Sequence, residues 1–275
     1  MGLSKIRRYF WGLSCAAFFC FPLYAQTPNW LEGELKLQTT RLASPHIEER
    51  RDAVLRLGAL LRPEAARLVL PALRDAAPIV RATAARAVLA APPAEAAAVL
   101  LPLLSDKDEL VRQEAAYALG ETRQTVAVQP LLATLATDKS TGVRGAAVIS
   151  LGLLKDAAAV EPLMQILTRR VPAAGVYGKI LRRKDLDNPF IRRAAAQALG
   201  NIGDRKAVPA LLEALQDAKA GDDVRREAAH ALGLIGDAAA VPALRAVLTA
   251  GDPYLSRIAY EALLKIAPAE ATRPG

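Results

Sequence analysis

The segment VRQEAAYALG at residues 111–120 recurs in modified form along the chain, and this repetition determines the fold. Related segments end at Leu57-Gly58, Leu151-Gly152, Leu199-Gly200 and Leu232-Gly233, and a degenerate copy runs from Val80 to Ala90. The shared arginine falls at positions 50, 81, 112, 144, 192 and 225, so the spacings are 31, 31, 32, 48 and 33 residues. A period of about thirty residues indicates stacked helix pairs, because one such unit cannot bury its own apolar face.

The first segment of each repeat has the periodicity of an amphipathic helix. Val224, Ala228 and Leu232 fall on one face, while Arg226 and Glu227 fall on another. The Leu-Gly pair predicts the end of this helix, because glycine readily adopts the left-handed conformation of a helix C-terminus. A turn with an aspartate is expected next, twelve residues after the arginine, at Asp156, Asp204 and Asp237.

The second segment of each repeat predicts another helix, as in AVPALLEAL from Ala207 onward. Matching prolines stand at positions 71, 102, 130, 162 and 242. Proline is tolerated in the first turn of a helix, so each of these prolines is expected to mark a helix start. Burial is expected for the leucines that recur on the apolar faces of both segments, namely Leu119, Leu151, Leu199, Leu211, Leu232 and Leu244.

The complete pattern Asp-x-x-Val-Arg-x-x-Ala-Ala-x-Ala-Leu-Gly-x-Ile-Gly-Asp-x-x-Ala-Val-Pro-x-Leu resembles the short HEAT repeat of phycobilisome-lyase-type HEAT proteins. Residues 191–217 and 224–248 match it almost throughout, and the resemblance extends over about residues 46 to 267. It implies an all-α, right-handed solenoid of about six to seven HEAT-like, armadillo-like helix pairs. It implies no particular activity, because this repeat occurs in scaffolds, lyases and hydroxylases alike.

Residues 1–25 have the layout of a secretory signal peptide. Basic residues between Lys5 and Arg8 precede the apolar run from Tyr9 to Phe21, and Ala25 offers a small residue before a cut. An uncleaved membrane anchor or a lipoprotein is the alternative. Both cysteines of the chain lie within this segment, so the mature chain would have no thiol. We therefore expect export to a bacterial periplasm without disulfides.

The excess positive charge of the mature chain is concentrated at residues 169–184, within an insertion at residues 169–189. The spacing from Arg144 to Arg192 is some 16 residues too long, and no acidic residue occurs between residues 169 and 184. The segment holds Arg169, Arg170, Tyr177, Lys179, Arg182, Arg183 and Lys184. Insertions in repeat proteins form loops, often on a binding face. These seven residues are candidates for contact with a protein partner or an anionic surface, and a solvated, tolerated loop is the alternative.

The recurring arginines are interpreted as structural. Asp75, Asp106 and Asp138 each lie six residues before an arginine, so such pairs could stack as a ladder between repeats. A feature that occurs at every level of an array does not mark a single catalytic site. The ladder arginines are Arg81, Arg112, Arg144, Arg192 and Arg225.

Residues for catalysis are sparse. The two histidines, His46 and His230, are far apart and neither is followed by glutamate, whereas the HEAT-repeat hydroxylases use several His-Glu pairs to hold two irons. Glycine-rich phosphate loops and hydrolase or zinc-protease motifs are absent from the sequence. We therefore expect no metal, cofactor or small-molecule substrate. Nucleic acid is not an expected partner, because basic residues do not line every repeat.

These observations divide the chain into a signal peptide at 1–25, a capping helix at 26–45, a repeat array at 46–268 and a tail without packing partners at 269–275. The predicted cap runs from Asn29 to Ala43, with Trp30, Leu31, Leu35 and Leu42 available to cover the first repeat. The predicted function is an exported, non-catalytic scaffold for protein–protein interaction. The alternatives are a lyase-like or deoxyhypusine-hydroxylase-like HEAT protein, and an adaptor at a membrane surface.

Overall fold

The computed structural model describes residues 29–168 and 188–271, and both stretches consist of helices joined by short turns. Helix α1 (Asn29–Arg41) precedes the array. The first helices of successive repeats, here called the first-helix row, are α2 (Ile47–Ala59), α4 (Pro78–Ala87), α6 (Glu109–Glu121), α8 (Thr141–Leu154), α10 (Pro189–Ile202), α12 (Asp222–Ile235) and α14 (Pro253–Ile266). The second-helix row contains α3 (Pro63–Val69), α5 (Pro93–Leu100), α7 (Val128–Thr137), α9 (Val160–Thr168), α11 (Val208–Gln216) and α13 (Val241–Ala246).

Short 3-10 helices continue or introduce the α-helices, mostly those of the second row. They span Leu70–Arg74, Val88–Ala90, Leu101–Ser105, Thr125–Ala127, Ala157–Ala159, Arg205–Ala207 and Ala238–Ala240, and one more lies at Pro268–Glu270. The described residues form no strand, and the predicted all-α solenoid is confirmed. All six leucines expected in the core are fully buried. No helix within the two described stretches is long and apolar enough to cross a membrane.

The two rows pack with different closeness. Neighbouring first helices share far more extensive contacts than neighbouring second helices do. The first-helix row is therefore the side on which successive repeats pack most closely.

The glycine of the Leu-Gly pair does not end the first helix, so that prediction is wrong. Gly120, Gly152 and Gly200 lie inside α6, α8 and α10. A Cβ atom on Gly152 would stand 2.7 Å from the Ala198 Cα in the next repeat, and one on Gly120 would stand 2.6 Å from the Ser150 Cβ. These glycines therefore permit close contact between neighbouring first helices. Helix α10 ends instead at Gly203, which has a φ of +79°.

The prediction that proline marks a helix start holds in the later repeats only. Pro130, Pro162 and Pro242 lie in the first turns of α7, α9 and α13. Pro71 and Pro102 instead follow the α-helices that begin at Pro63 and Pro93, and the chain continues from there as 3-10 helix. Proline within a helix removes one hydrogen bond and its ring clashes with the carbonyl four residues earlier, which accounts for this change.

The predicted aspartate turns are present. Asp156, Asp204 and Asp237 each accept a hydrogen bond from the backbone N–H two residues later, at 2.8 to 2.9 Å. Each aspartate thereby caps the 3-10 helix that leads into the second helix.

The ends of the array differ from expectation in two details. Leu31 of α1 is fully buried, but Trp30 is 62% exposed, because adjacent residues of a helix point in different directions. At the other end, Pro268–Glu270 forms a turn, and Glu270 accepts a 3.2 Å hydrogen bond from Arg245. The first residues of the tail therefore have packing partners, while residues 272–275 lie outside the described part of the chain.

Candidate binding surface

The seven interaction residues predicted from the sequence, between Arg169 and Lys184, all lie outside the described residues. The structure gives the two ends of the insertion that contains them. Helix α9 ends at Thr168, and Asn188 caps α10 by accepting a 2.9 Å hydrogen bond from the backbone N–H of Phe190. The insertion thus joins a second helix to the first helix of the next repeat.

Four of the ladder arginines, Arg81, Arg112, Arg144 and Arg192, are buried, Arg225 is half-buried, and they connect neighbouring repeats. Arg81 donates through Nε and Nη2 to both carboxylate oxygens of Asp106, at 2.8 Å each. Its Nη1 donates to the backbone carbonyl of Asp75 at 2.8 Å. Arg112 repeats this geometry one level further, with the Asp138 carboxylate at 2.6 and 3.1 Å and the Asp106 carbonyl at 2.9 Å. Such bidentate pairs fix the distance and orientation between repeats.

We predicted from the sequence that each arginine pairs with the carboxylate of the aspartate six residues earlier. In the structure, this aspartate makes different contacts. The arginine binds its backbone carbonyl, while its carboxylate binds the arginine of the preceding repeat, as Asp75 does with Arg50 at 2.7 and 2.9 Å. Arg144 likewise donates to the carbonyl of Asp138 at 2.8 Å. We call Asp75, Asp106 and Asp138 the ladder aspartates.

The ladder changes its form in the last repeats. The Nε of Arg192 donates to the carbonyl of Leu167 at 3.0 Å, and its Nη2 lies 3.7 Å from the Asp217 carboxylate. Arg225 does not bind the aspartate of the next repeat but donates to the carbonyl of Leu215 at 3.0 Å. Its neighbour Arg226 makes the bidentate contact with Asp252, at 2.8 and 3.0 Å.

The contacts of the ladder lower the pKa values of its aspartate carboxyl groups. The hydrogen bond from Arg50 lowers the pKa of Asp75 below its ordinary value. Burial opposes ionisation of Asp106 and Asp138, yet the hydrogen bonds from Arg81 and Arg112 and from backbone N–H groups outweigh it and lower both pKa values. The ladder aspartates are therefore ionised structural groups and not proton donors at neutral pH.

Exposed apolar side chains recur at one position of the first-helix row, two residues before the ladder arginine or its equivalent. Ile79, Leu110 and Phe190 occupy this position in α4, α6 and α10, and Tyr254 occupies it at the start of α14. Tyr254 is 68% exposed, and the guanidinium of Arg226 lies 5.2 Å from the centre of its ring. Apolar groups that recur on one face of an array are a typical feature of a protein-binding surface.

A groove of about 510 Å³ crosses the first three repeats on this row. We call it the N-terminal groove. Leu55 of α2 and Leu110 of α6 stand on its two sides, and Ala82, Thr83 and Ala87 of α4 lie between them. Its remaining lining residues are Gly58, Ala59, Ile79, Arg86 and Glu114.

The charged groups of the groove lie at its edge. Arg86 donates to Glu114 at 3.3 Å, and its other terminal nitrogen lies 3.9 Å from Glu121. Two carboxylates thus share one guanidinium. The side chain of Arg86 is 58% exposed, so this pairing is solvent-screened and contributes little to stability.

The two histidines lie in different parts of the array. His46 precedes α2 and is exposed, while His230 lies on α12 with its Nδ1 at 3.4 Å from a carboxylate oxygen of Glu227. No group of three or more His, Cys, Asp or Glu residues suited to a metal ion occurs in residues 29–168 and 188–271.

The N-terminal groove was not predicted from the sequence. The second repeat is degenerate, because Leu89 stands where Gly58 and Gly120 stand in the neighbouring repeats. Helix α4 ends at Ala87, whereas α6 continues past Gly120 to Glu121. Leu89 does not line the groove, so this departure from the repeat does not by itself predict the groove.

A comparison with solved structures finds the same architecture. The chain is similar to the complex of CpcE and CpcF of phycocyanin lyase from Nostoc sp. PCC7120, with 23% identity over 85% of this chain and 88% of that chain and a TM-score of 0.51. It is also similar to human deoxyhypusine hydroxylase, with 21% identity over 86% of this chain and 96% of that chain and a TM-score of 0.41. A designed armadillo repeat protein matches at 19% identity over 85% of this chain and 99% of that chain, with a TM-score of 0.44. These likenesses concern the fold alone.

The comparison with curated proteins gives no match. The family model for HEAT repeats matches residues 36–120, 69–152, 97–174 and 179–265. These matches cover most of the chain, and the described helices form the corresponding stack of pairs. The protein therefore belongs to the HEAT-repeat family.

Proposed function

We propose that this protein is an exported, non-catalytic scaffold that binds a protein partner across its first-helix row. The observation that carries the proposal is the exposed apolar side chain at one repeat position in four of the seven described first helices, namely Ile79, Leu110, Phe190 and Tyr254. The same position holds Glu48, Gly142 and Asp223 in α2, α8 and α12. Interfaces with proteins are enriched in aromatic and large apolar side chains of this kind.

Export is supported by the order of basic, apolar and small residues in 1–25. Intact-mass measurement of the protein recovered from the periplasm tests this part. The expected mass is that of a chain beginning at Gln26. A mature chain that retains Met1, or that carries lipid on a cysteine, contradicts it.

The basic insertion supports a second contact, with an acidic protein surface or an anionic membrane surface. Its six cations lie between Arg169 and Lys184, a stretch without an acidic residue. Clustered cations raise the association rate with anionic partners and make binding sensitive to salt. The rival proposal is a lyase-like or hydroxylase-like activity. The sequence does not favour a hydroxylase, because its two histidines are far apart and neither is followed by glutamate.

Purification of the exported chain after cross-linking in the cell, followed by native mass spectrometry, tests the scaffold proposal. The expected result is one exported protein, recovered repeatedly at a fixed stoichiometry, which rebinds to the purified chain without a cofactor. Substitution of Phe190 and Tyr254 by Glu should weaken that complex. Recovery of the chain without any partner, together with turnover of a bilin or a lysine derivative, supports the enzyme proposal instead.

A further inference from the structure

The lining of the N-terminal groove comes from three successive first helices, α2, α4 and α6. Its small residues are Gly58, Ala59, Ala82, Thr83 and Ala87, and its larger apolar side chains are Leu55, Ile79 and Leu110. An apolar groove of this kind is suited to the apolar face of an amphipathic helix.

From this geometry we infer that the N-terminal groove is the docking site for an amphipathic helix of a partner protein, bearing apolar anchors and a neighbouring Lys or Arg. This inference rests on the proposed scaffold function and specifies where and what the scaffold binds.

The dimensions of the groove suit a helix. Packed helices lie about 8–10 Å apart, so α2 and α6, with α4 between them, are separated by roughly 16–20 Å. A helix with its side chains is about 10–12 Å wide, so it cannot enter between α2 and α6, but it can lie over α4 with its apolar side chains on the small residues Ala82, Thr83 and Ala87. Helix α4 has 10 residues and is about 15 Å long. A partner helix of similar length presents apolar anchors at positions i, i+3 or i+4, and i+7.

The exposure of the groove walls favours a protein over a small molecule. Leu55 is 52% exposed, Leu110 is 38% exposed and Ile79 is 36% exposed. Pockets for small molecules enclose roughly 70–90% of the ligand surface, and this open groove cannot do so. A helix needs only one buried face, because its other face remains in solvent or contacts the rest of the partner.

The charges at the groove edge specify the second feature of the partner. Arg86 is shared between Glu114 and Glu121, which leaves one negative charge in excess. Because exposed ion pairs exchange readily with solvent, a cation of the partner can bind Glu121 while Arg86 keeps Glu114. The complementary partner helix is therefore apolar on one face, with Lys or Arg at its edge.

A displayed library of random 16-residue peptides, selected on the purified chain, tests the inference directly. The expected peptides carry large apolar residues at helical spacing together with Lys or Arg. Their affinity should fall at least about tenfold on Leu110→Glu, because a carboxylate would enter the apolar contact. Glu121→Lys should weaken the same peptides about twofold to fivefold, as expected for an exposed ion pair.

Matched controls separate groove binding from general surface effects. Leu264 of α14 is 43% exposed, close to the value for Leu110, so Leu264→Glu makes the same chemical change at the far end of the row. This control should leave peptide affinity unchanged, and circular dichroism should show the same helix content in all variants. Enrichment of acidic peptides, of peptides without helical spacing, or of none at all overturns the inference.

The natural partner distinguishes failure of the scaffold function from failure of the groove inference. If the exported chain has no protein partner, the scaffold function fails. If a partner binds wild type and Leu110→Glu equally well, the scaffold function stands and the groove inference fails.

Discussion

Substitution of Gly152 by alanine tests the packing of the first-helix row. The added Cβ would lie 2.7 Å from the Ala198 Cα and 2.8 Å from its Cβ, whereas nonbonded carbon atoms prefer about 3.5–4.0 Å. The clash involves backbone, so α8 and α10 must separate by about 0.8 Å or more to relieve it. Overpacking of this kind costs about 1–3 kcal/mol, and contact with backbone places this case in the upper part of that range.

The same substitution also has a favourable effect, which a control measures. Alanine stabilises a helix interior by about 1 kcal/mol relative to glycine. Gly33 lies inside α1, and a Cβ there meets no atom within 4 Å. Gly33→Ala should therefore raise the free energy of unfolding by about 0.5–1 kcal/mol, while Gly152→Ala should lower it by about 1–2 kcal/mol.

Urea unfolding followed by far-ultraviolet circular dichroism measures both variants. The effect of alanine on the unfolded chain is common to the two substitutions and cancels in their difference. A difference of about 1.5–3 kcal/mol is expected. Equal stabilisation by both substitutions would refute the claim that Gly152 permits close helix contact.

Three further predictions concern the core, the ladder and the insertion. Leu199→Ala should lower the free energy of unfolding by about 2–5 kcal/mol in the same urea assay, through lost burial and a cavity, and a change below about 1 kcal/mol contradicts the core assignment. Because the ladder aspartates have lowered pKa values in the folded state, their stabilisation is present above the unfolded pKa of about 3.9 and is lost as the pH falls through the folded values. Acid titration of wild type and Asp138→Asn checks this, since the variant should lose less stability in that range. Changing Arg182, Arg183 and Lys184 to Glu should leave stability nearly unchanged but weaken binding to the partner or to anionic vesicles and reduce its salt dependence, and unaltered binding would identify a tolerated loop.

The repeat could be predicted from sequence because its period, apolar stripe and aspartate turns are local signals. The burial of Leu232 and the turn at Asp237 both follow from residues within one repeat. A glycine near a helix end has two interpretations, and the sequence of one repeat does not distinguish them. The contact between Gly200 and Ala231 joins two repeats, so only the packed structure shows it.

The binding surface could be predicted less well, because it also depends on contacts between repeats. The N-terminal groove arises from side chains of three helices, including Leu55 and Leu110, which lie far apart in sequence. The sequence shows that Leu89 stands at the position of the repeat glycine. The local structure at Leu89 depends on where α4 ends, and the sequence does not show this. The shift from Arg225 to Arg226 in the ladder likewise involves two repeats, because Arg226 binds Asp252 at the start of α14.

Site-specific photo-cross-linking in the native cell tests most directly whether the first-helix row binds a protein partner. A photoreactive amino acid is placed at Leu110 on α6, and in a separate variant at the exposed Arg67 on α3 of the second-helix row. We predict one cross-linked exported protein from the Leu110 variant and none from the Arg67 variant. The same product from Arg67 alone, or no product from either variant, would contradict binding through the first-helix row.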